Sequence, residues 1–196
     1  MSDTFNADMR KLTKKLSDLE KKQIPFASSL ALNKLAVLGQ RAAVRGLVVH
    51  IDKPTPFTKR GIRVRRSNKS NLVSAVFVQD IQAEYLKFAV FGGNRKPKGR
   101  ALIIPVQQRL NQYGNLPKNK IKNLMARDDT FALVNSPRAG IYQRLKNGRL
   151  KLLVSFKGGA DYRSIYPFKQ IVVKEVQRYV ESAFRSSLQR ALSSAK

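Results

Sequence analysis

The sequence contains no cysteine and no tryptophan, and it has a single histidine and twelve acidic residues among 196. Without cysteine the chain cannot form disulfides, use a thiol nucleophile, attach haem or build a zinc finger. The one histidine, His50, lies between Val49 and Ile51, a setting more typical of a packed or surface histidine than of a ligand or base. The missing residue types therefore exclude several classes of enzyme and metal site.

Long hydrophobic runs are missing as well. No stretch reaches the roughly 18 uninterrupted apolar residues that a membrane span requires, and the first residues lack the apolar centre of a signal peptide. With 42% hydrophobic residues the chain can nevertheless bury a core, so it is not a disordered tail. We expect a soluble protein, made and used in the cytoplasm, with no membrane partner.

Positive charge is abundant: 39 Lys and Arg give a formal net charge of +27. So much like charge on one globule is self-repelling, and a partner of opposite sign, by default nucleic acid, relieves it. The alternative is a basic face that is merely solvated. The basic residues concentrate in three clusters, which are the 59–69 cluster (Lys59, Arg60, Arg63, Arg65, Arg66, Lys69), the 95–100 cluster (Arg95, Lys96, Lys98, Arg100) and the 118–122 cluster (Lys118, Lys120, Lys122).

Elements for reading a base sequence are not apparent. Aromatic residues are poorly interleaved with the basic ones, which disfavours single-strand stacking modules and RNA-recognition sheets. The spacing of a helix-turn-helix is absent too. We therefore expect nonspecific attraction to a phosphate backbone, or self-assembly into an object whose interior or rim faces nucleic acid.

Catalytic motifs are not found either. Asp80 and Glu84 have helical i, i+4 spacing, but an acidic pair of this kind in a basic protein usually forms ion pairs with nearby lysines. Asp128 precedes Asp129, and neighbouring aspartates usually cap a helix or form a turn. Phosphate-binding loops, nucleophile elbows and dinucleotide fingerprints are absent. We expect no enzyme, no cofactor and no metal site. The weakest alternative is a metal-dependent nuclease that uses Asp80, Glu84 or Asp128 with Lys122.

The two ends of the chain carry helical periodicity. The first segment has the spacing of an amphipathic helix that packs on something, and 26–44 is predicted as a second helix after Pro25. A C-terminal helix is predicted from near Pro167, over about 168–194. The apolar positions are Phe5, Met9, Leu12, Leu16 and Leu19 in the first segment, and Val173, Val176, Val180, Phe184, Leu188 and Ala191 in the last.

The middle of the chain favours strands. Residues 47–51 are β-like, 61–66 and 72–79 are typical of a hairpin with a basic face, and 131–135, 140–145 and 150–156 are predicted strands. Asn147 and Gly148 indicate a type I′ turn. Residues 85–91 are predicted as a short helix or an extended piece, 92–100 as an exposed mobile loop, and 118–126 as a short helix.

These elements predict an α+β fold, with a largely antiparallel β-sheet flanked by long N-terminal and C-terminal helices and with extended loops or arms. We expect an amphipathic helical arm over 1–24. A single α+β domain over 25–196 is expected to follow it and to end in the long helix at about 168–194.

Several phrases, in this order, resemble the minor tail protein Z family of tailed bacteriophages and prophages. The similarity covers about residues 20–180. The phrases are IPFASSLALNKLA at 24–36, TPFTKRGIRV at 55–64, EYLKFAVFGGNRKPKG at 84–99, RLNQYGNLP at 109–117 and AGIYQRLKNGRLKLLVSF at 139–156.

The resemblance implies a tail-completion or head–tail (neck) connector protein of the virion, assembled in the bacterial host cytoplasm and without catalytic residues. It implies a homo-oligomeric ring, for which we expect six or twelve copies, that contacts the portal, adaptor, tail terminator or tail tube and the genomic DNA in the channel. The expected assembly contacts are Phe5, Met9, Leu12, Leu16, Leu19, Gly92 and Gly93. The alternative is a basic architectural protein that binds DNA or RNA without sequence specificity.

Overall fold

The structure is a computed structural model that describes residues 13, 14, 17 and 19–194. Its helices and strands confirm the α+β class, and every strand pair is antiparallel. The helices are a π-helical turn at Leu19–Gln23, then α1 Ile24–His50, α2 Pro56–Arg60, α3 Asp80–Phe91, α4 Lys120–Met125 and α5 Phe168–Ser193. The strands are β1 Ile62–Arg65, β2 Ala75–Val78, β3 Gly93–Arg95, β4 Leu102–Pro105, β5 Thr130–Leu133, β6 Gly140–Arg144, β7 Leu150–Lys157 and β8 Ala160–Tyr162.

The chain forms two compact units, whereas the sequence suggested one domain after residue 24. The first unit comprises the described residues of 1–49, 56–83 and 167–196, and the second comprises 50–55 and 84–166. The first unit thus joins three stretches that are far apart in the sequence. None of the helices in the described part of the chain combines the length and apolar character needed to cross a membrane.

The first unit is built on α1 and α5, which run antiparallel. Lys34 Nζ donates to Ser186 Oγ at 3.0 Å near one end of the pair, and Arg45 pairs with Glu175 at 2.8 Å near the other. Between them, a side chain at Gly39 would meet Val172 Cγ1 at 3.1 Å. The missing side chain at this position lets the two helices approach closely.

The prediction of a β-like segment at 47–51 is wrong, because α1 continues through both of its glycines to His50. Leu47 is fully buried in this last part of the helix. Tertiary packing therefore outweighs the low helix propensity of glycine and of β-branched residues. The predicted C-terminal helix is confirmed, since α5 begins directly after Pro167.

The predicted β1–β2 hairpin is also confirmed, and its long connection is held against α1 by a polar network. Asn33 Nδ2 donates to Ser67 O at 3.0 Å, while Asn33 Oδ1 accepts from Ser67 N at 2.8 Å and from Ser74 Oγ at 3.0 Å. The buried Ser29 hydroxyl adds a contact to Ser67 O at 3.2 Å. One amide side chain thus satisfies both backbone groups of Ser67, which is itself buried.

Replacing Asn33 with alanine should lower the free energy of unfolding by about 1–3 kcal/mol, because both backbone groups of the buried Ser67 lose their shorter hydrogen bond and keep only those with Ser29 and Ser74, each at 3.2 Å. Urea unfolding monitored by circular dichroism measures the change. Asn71→Ala, at an exposed position of the same connection, is the matched control and should stay within about 0.5 kcal/mol of wild type. Equal losses in the two variants would contradict the role assigned to the network.

The second unit contains a four-stranded sheet in the order β4-β7-β6-β5. Its core is formed by Leu124 of α4 with Ile141, Leu153 and Val154 of the two central strands. The three predicted strands at 131–135, 140–145 and 150–156 and the short helix at 118–126 are confirmed within a few residues.

Two local predictions in this unit need correction. Residues 92–100 are not wholly a loop, because Gly93–Arg95 pairs with Ala160–Tyr162. Nor is the β6–β7 turn type I′, since Gly148 has φ +78° but Asn147 does not have positive φ. Gly148 N donates to Leu145 O at 2.9 Å, and Leu145 N donates to Arg149 O at 2.9 Å. This pattern indicates a three-residue loop that ends on a left-handed glycine.

Residues 80–91 form the single helix α3, so the helical alternative predicted for 85–91 is the correct one. The helix starts five residues earlier than the sequence pattern suggested. Gln82, in this early part, is buried and donates to Phe57 O at 3.2 Å. A buried glutamine on the first turn obscures the apolar periodicity from which the start of a helix is predicted.

Gly140 is the glycine that the sheet tolerates least in exchange for alanine. An added Cβ would lie 2.3 Å from Val154 O and 2.8 Å from Leu152 Cδ1. Gly140→Ala should therefore destabilise the protein by about 1–3 kcal/mol through overpacking. Gly158→Ala, where nothing lies within 4 Å of the new atom, is the control. Thermal unfolding should show a lower midpoint for the first variant only; a similar midpoint in both would contradict the crowding at Gly140.

Candidate polyanion-binding surfaces

The 59–69 cluster belongs to the first unit, where a short helix and a strand display it. Lys59 and Arg60 occupy the last turn of α2. In β1, successive side chains alternate between faces, so Ile62 is buried while Arg63 and Arg65 are exposed. The sequence alternation thus produces the basic face that was predicted for this hairpin.

The cations of this cluster are free of carboxylate partners within the described residues. Arg63 Nε donates to the neutral Gln79 Oε1 at 3.4 Å, and Lys69 Nζ lies 4.8 Å from the centre of the Phe26 ring. The ion pairs between described residues involve other parts of the chain. The positive charge of the hairpin therefore remains available to an external anion.

The 95–100 cluster belongs to the second unit and is partly neutralised. Lys98 pairs with Glu84, and this contact holds the pKa of the Glu84 carboxyl below its usual range, chiefly through the hydrogen bond from Lys98. Arg95 lies in β3 with its guanidinium 6.0 Å from the Phe88 ring. Lys96 and Arg100 are exposed.

The 118–122 cluster lies around the start of α4, also in the second unit. Lys118 and Lys122 are exposed and Lys120 is half-buried. Asn119 precedes the helix with φ +63°, a left-handed conformation that asparagine tolerates better than most residues. The three predicted clusters are therefore divided, one in the first unit and two in the second.

A fourth basic group was missed in the sequence because its residues were interpreted only as strand and turn. Lys146, Arg149 and Lys151 are exposed on and beside the β6–β7 turn, as is Arg144. Arg144 lies 5.9 Å from the Phe131 ring. The available signal was charge density, because four cations fall within the eight residues 144–151, compared with three within the five residues of the 118–122 cluster.

Of the acidic residues considered for catalysis, Glu84 pairs with Lys98, and Asp80 and Asp128 make no side-chain hydrogen bond or ion pair with the other described residues. Asp129 accepts from Arg127 Nε at 2.9 Å and Nη2 at 2.7 Å, and from Gln143 Nε2 at 2.7 Å. These bonds lower the pKa of Asp129, and the Arg127 bond is the largest cause. Across residues 13, 14, 17 and 19–194, no three His, Asp or Glu side chains form a group that could hold a metal ion.

The candidate assembly residues fall into two groups. Gly92 ends α3 with φ +74°, donating its N–H to Phe88 O at 3.0 Å, and Gly93 continues into β3 with φ +105°. Both glycines thus have a local conformational role between α3 and β3. The remaining candidates lie outside what the structure describes, which gives only the backbone at Leu19; they are Phe5, Met9, Leu12 and Leu16.

Within the described part of the chain, exposed cations of the four clusters therefore lie on both units, and Lys98 is the member that is paired with a carboxylate. Searches for similar proteins found no matching family model, no matching curated protein and no matching solved structure.

Proposed function

We propose that this chain is a structural virion protein of a tailed bacteriophage, a tail-completion or neck component that oligomerises into a ring and helps form the DNA passage. The observation that carries the DNA-facing role is the β1–β2 hairpin, whose exposed arginines have no carboxylate partner among the described residues. The proposed location in the virion and its neck rests on the series of sequence phrases that resemble the minor tail protein Z family.

Charge on both units supports contact with a polyanion over a broad surface. The segments of the first unit carry 21 Lys and Arg against seven Asp and Glu, and those of the second carry 18 against five. Each unit is therefore strongly basic by itself. Cations that contact phosphates release counterions, so the attraction grows with the number of contacts and falls with salt.

A ring converts a modest attraction per chain into a useful one. Six or twelve copies around one duplex would sum the contacts of each hairpin, while the absence of base readout lets the duplex slide through. A conduit needs this combination, because tight contact to particular bases would stop the passage of DNA.

The alternative is a basic architectural protein that coats DNA or RNA. The same hairpin supports it, because the exposed arginines could bind nucleic acid in a monomer as well as in a ring. The two functions differ in oligomeric state and location. A chain that stays monomeric, binds RNA tightly and is absent from virions would support the architectural protein.

The hairpin predicts a specific loss of DNA affinity. In the triple variant Arg63→Gln/Arg65→Gln/Arg66→Gln, affinity for a duplex of arbitrary sequence should fall, and the slope of log K against log salt should decrease in magnitude by about 2–3. Fluorescence anisotropy at several salt concentrations measures both quantities.

The matched control removes the same number of exposed charges from α1 and α5, outside the hairpin, as Arg41→Gln/Lys169→Gln/Arg190→Gln. These residues are exposed and belong to the first unit, like the hairpin. The control should change the slope by much less than the hairpin variant. Equal effects of the two triple variants would mean that DNA responds only to net charge and would remove the hairpin from the proposal.

The virion role predicts a location. Antibody-gold labelling and electron microscopy of purified virions from the phage or prophage that encodes this chain should place it at the tail end or head–tail vertex. Particles made without it should lack a finished tail or neck and fail to deliver DNA. Complete, infectious particles that do not contain the chain would refute the proposed function.

A further inference from the structure

An apolar stripe on α5 lies open beside the contact with α1. Four of its members follow one another at i, i+4 spacing, so they form a continuous ridge along the helix. The neighbouring positions on the helix, Ala183, Ser187 and Ala191, are buried. The α5 stripe, with the exposed fraction of each residue, consists of Val173 (42%), Val180 (42%), Phe184 (39%), Leu188 (44%) and Leu192 (48%).

A contiguous patch of large apolar side chains on a strongly charged protein usually marks an interaction site. The stripe is not a by-product of a helix that is apolar all round, because its other border is polar. Exposed Lys174, Arg178 and Arg185 lie on that border, and Arg185 pairs with Glu181 at 2.5 Å. The stripe therefore suits a partner with an apolar ridge and acidic flanks.

The N-terminal arm, here the part of the predicted 1–24 arm that precedes Leu19, has an apolar ridge of this kind. With Leu19 its apolar residues repeat at steps of four and three. A helix from 5 to 19 would be about 21 Å long, and the α5 stripe from 180 to 192 spans about 18 Å. The first 20 residues also hold four acidic residues, Asp3, Asp8, Asp18 and Glu20, beside four basic ones, Arg10, Lys11, Lys14 and Lys15, so this segment is formally neutral. Length and spacing thus match, and the arm adds no net positive charge to the basic border of the stripe.

The direction of α1 indicates which copy receives the arm. Because Lys34 contacts Ser186 in an antiparallel pair, Ile24 lies at the C-terminal end of α5. The π-helical turn touches α5 and leads into α1 without a break, and residues 13, 14 and 17 are helical as well. An arm that continued along this axis would pass beyond the end of its own α5, and its docking site would then lie on a second copy.

We propose that the N-terminal arm of one copy docks on the α5 stripe of a second copy. Arm and stripe are different surfaces, so the contact is heterologous: each copy gives an arm and receives one, and repetition closes a ring when the rotation allows. The inference rests on the self-assembly contained in the proposed function and names the surfaces that perform it.

The first experiment compares full-length variants by sedimentation velocity over a range of concentrations. Leu12→Asp in the arm and Leu188→Asp in the stripe should each weaken self-association at least about tenfold, and the double variant should be little weaker than either, because both remove one contact. Gln189→Asp, an exposed neighbour outside the stripe, is the control and should associate like wild type. Circular dichroism checks that each variant is folded.

The second experiment is disulfide crosslinking, which introduces no charge into the arm or the stripe. Because the chain has no cysteine of its own, only the introduced cysteines can form a crosslink. Leu12→Cys and Phe184→Cys, the central positions of arm and stripe, are made in separate chains, mixed and mildly oxidised. A disulfide-linked heterodimer should form and should exceed either homodimer. In the double-cysteine chain, a crosslink confined to single chains would show the arm on its own α5 and overturn the inference.

The outcomes separate this inference from the proposed function. An oligomer that resists both aspartate substitutions overturns the docking and leaves a ring built by other surfaces. A wild-type chain that remains monomeric at all concentrations overturns the docking as well. The location of the chain in virions tests the proposed function independently of either result.

Discussion

Unbalanced positive charge is the constraint on which this structure depends. A chain with a formal charge of +27 cannot be held together by ion pairs. Among the described residues, the ion pairs of Lys98, Arg127 and Arg185 lie on exposed side chains, where such contacts contribute little, and Glu175 is half-buried in its pair with the exposed Arg45. Cohesion comes instead from neutral groups: small residues between α1 and α5, an aliphatic core under α4, and the amide network of Asn33. Neutral cohesion leaves the cations free to face outward.

The parts of the fold that follow local rules could be predicted from the sequence. Alternation of apolar and basic residues predicted β1 with its exposed Arg63 and Arg65, and the steps of three and four predicted α5. The end of α1 could not be predicted, because Gly46 and the β-branched Val48 and Val49 argue locally against a helix. What decides there is tertiary packing, since Leu47 in this last part of the helix is fully buried.

The candidate site was predictable to a similar degree. Charge density in the sequence locates the 59–69 cluster, and the strand period tells which of its side chains are exposed. Sequence could not show that Lys98 is held by Glu84, since the pairing depends on how the chain returns after α3. The sequence also could not show that the basic clusters lie on two different units, because the first unit is formed by three segments that are far apart in the sequence.

The antiparallel pairing of α1 and α5 has a practical consequence for anyone who labels this protein. The residues that begin α1 and those that end α5 lie at the same end of the helix pair. A label attached near Ile24 and one attached near Ser193 would therefore crowd the same end of the helix pair. The exposed β6–β7 turn at 146–149 is a better insertion point. Its left-handed Gly148 should be kept as the last residue of the loop.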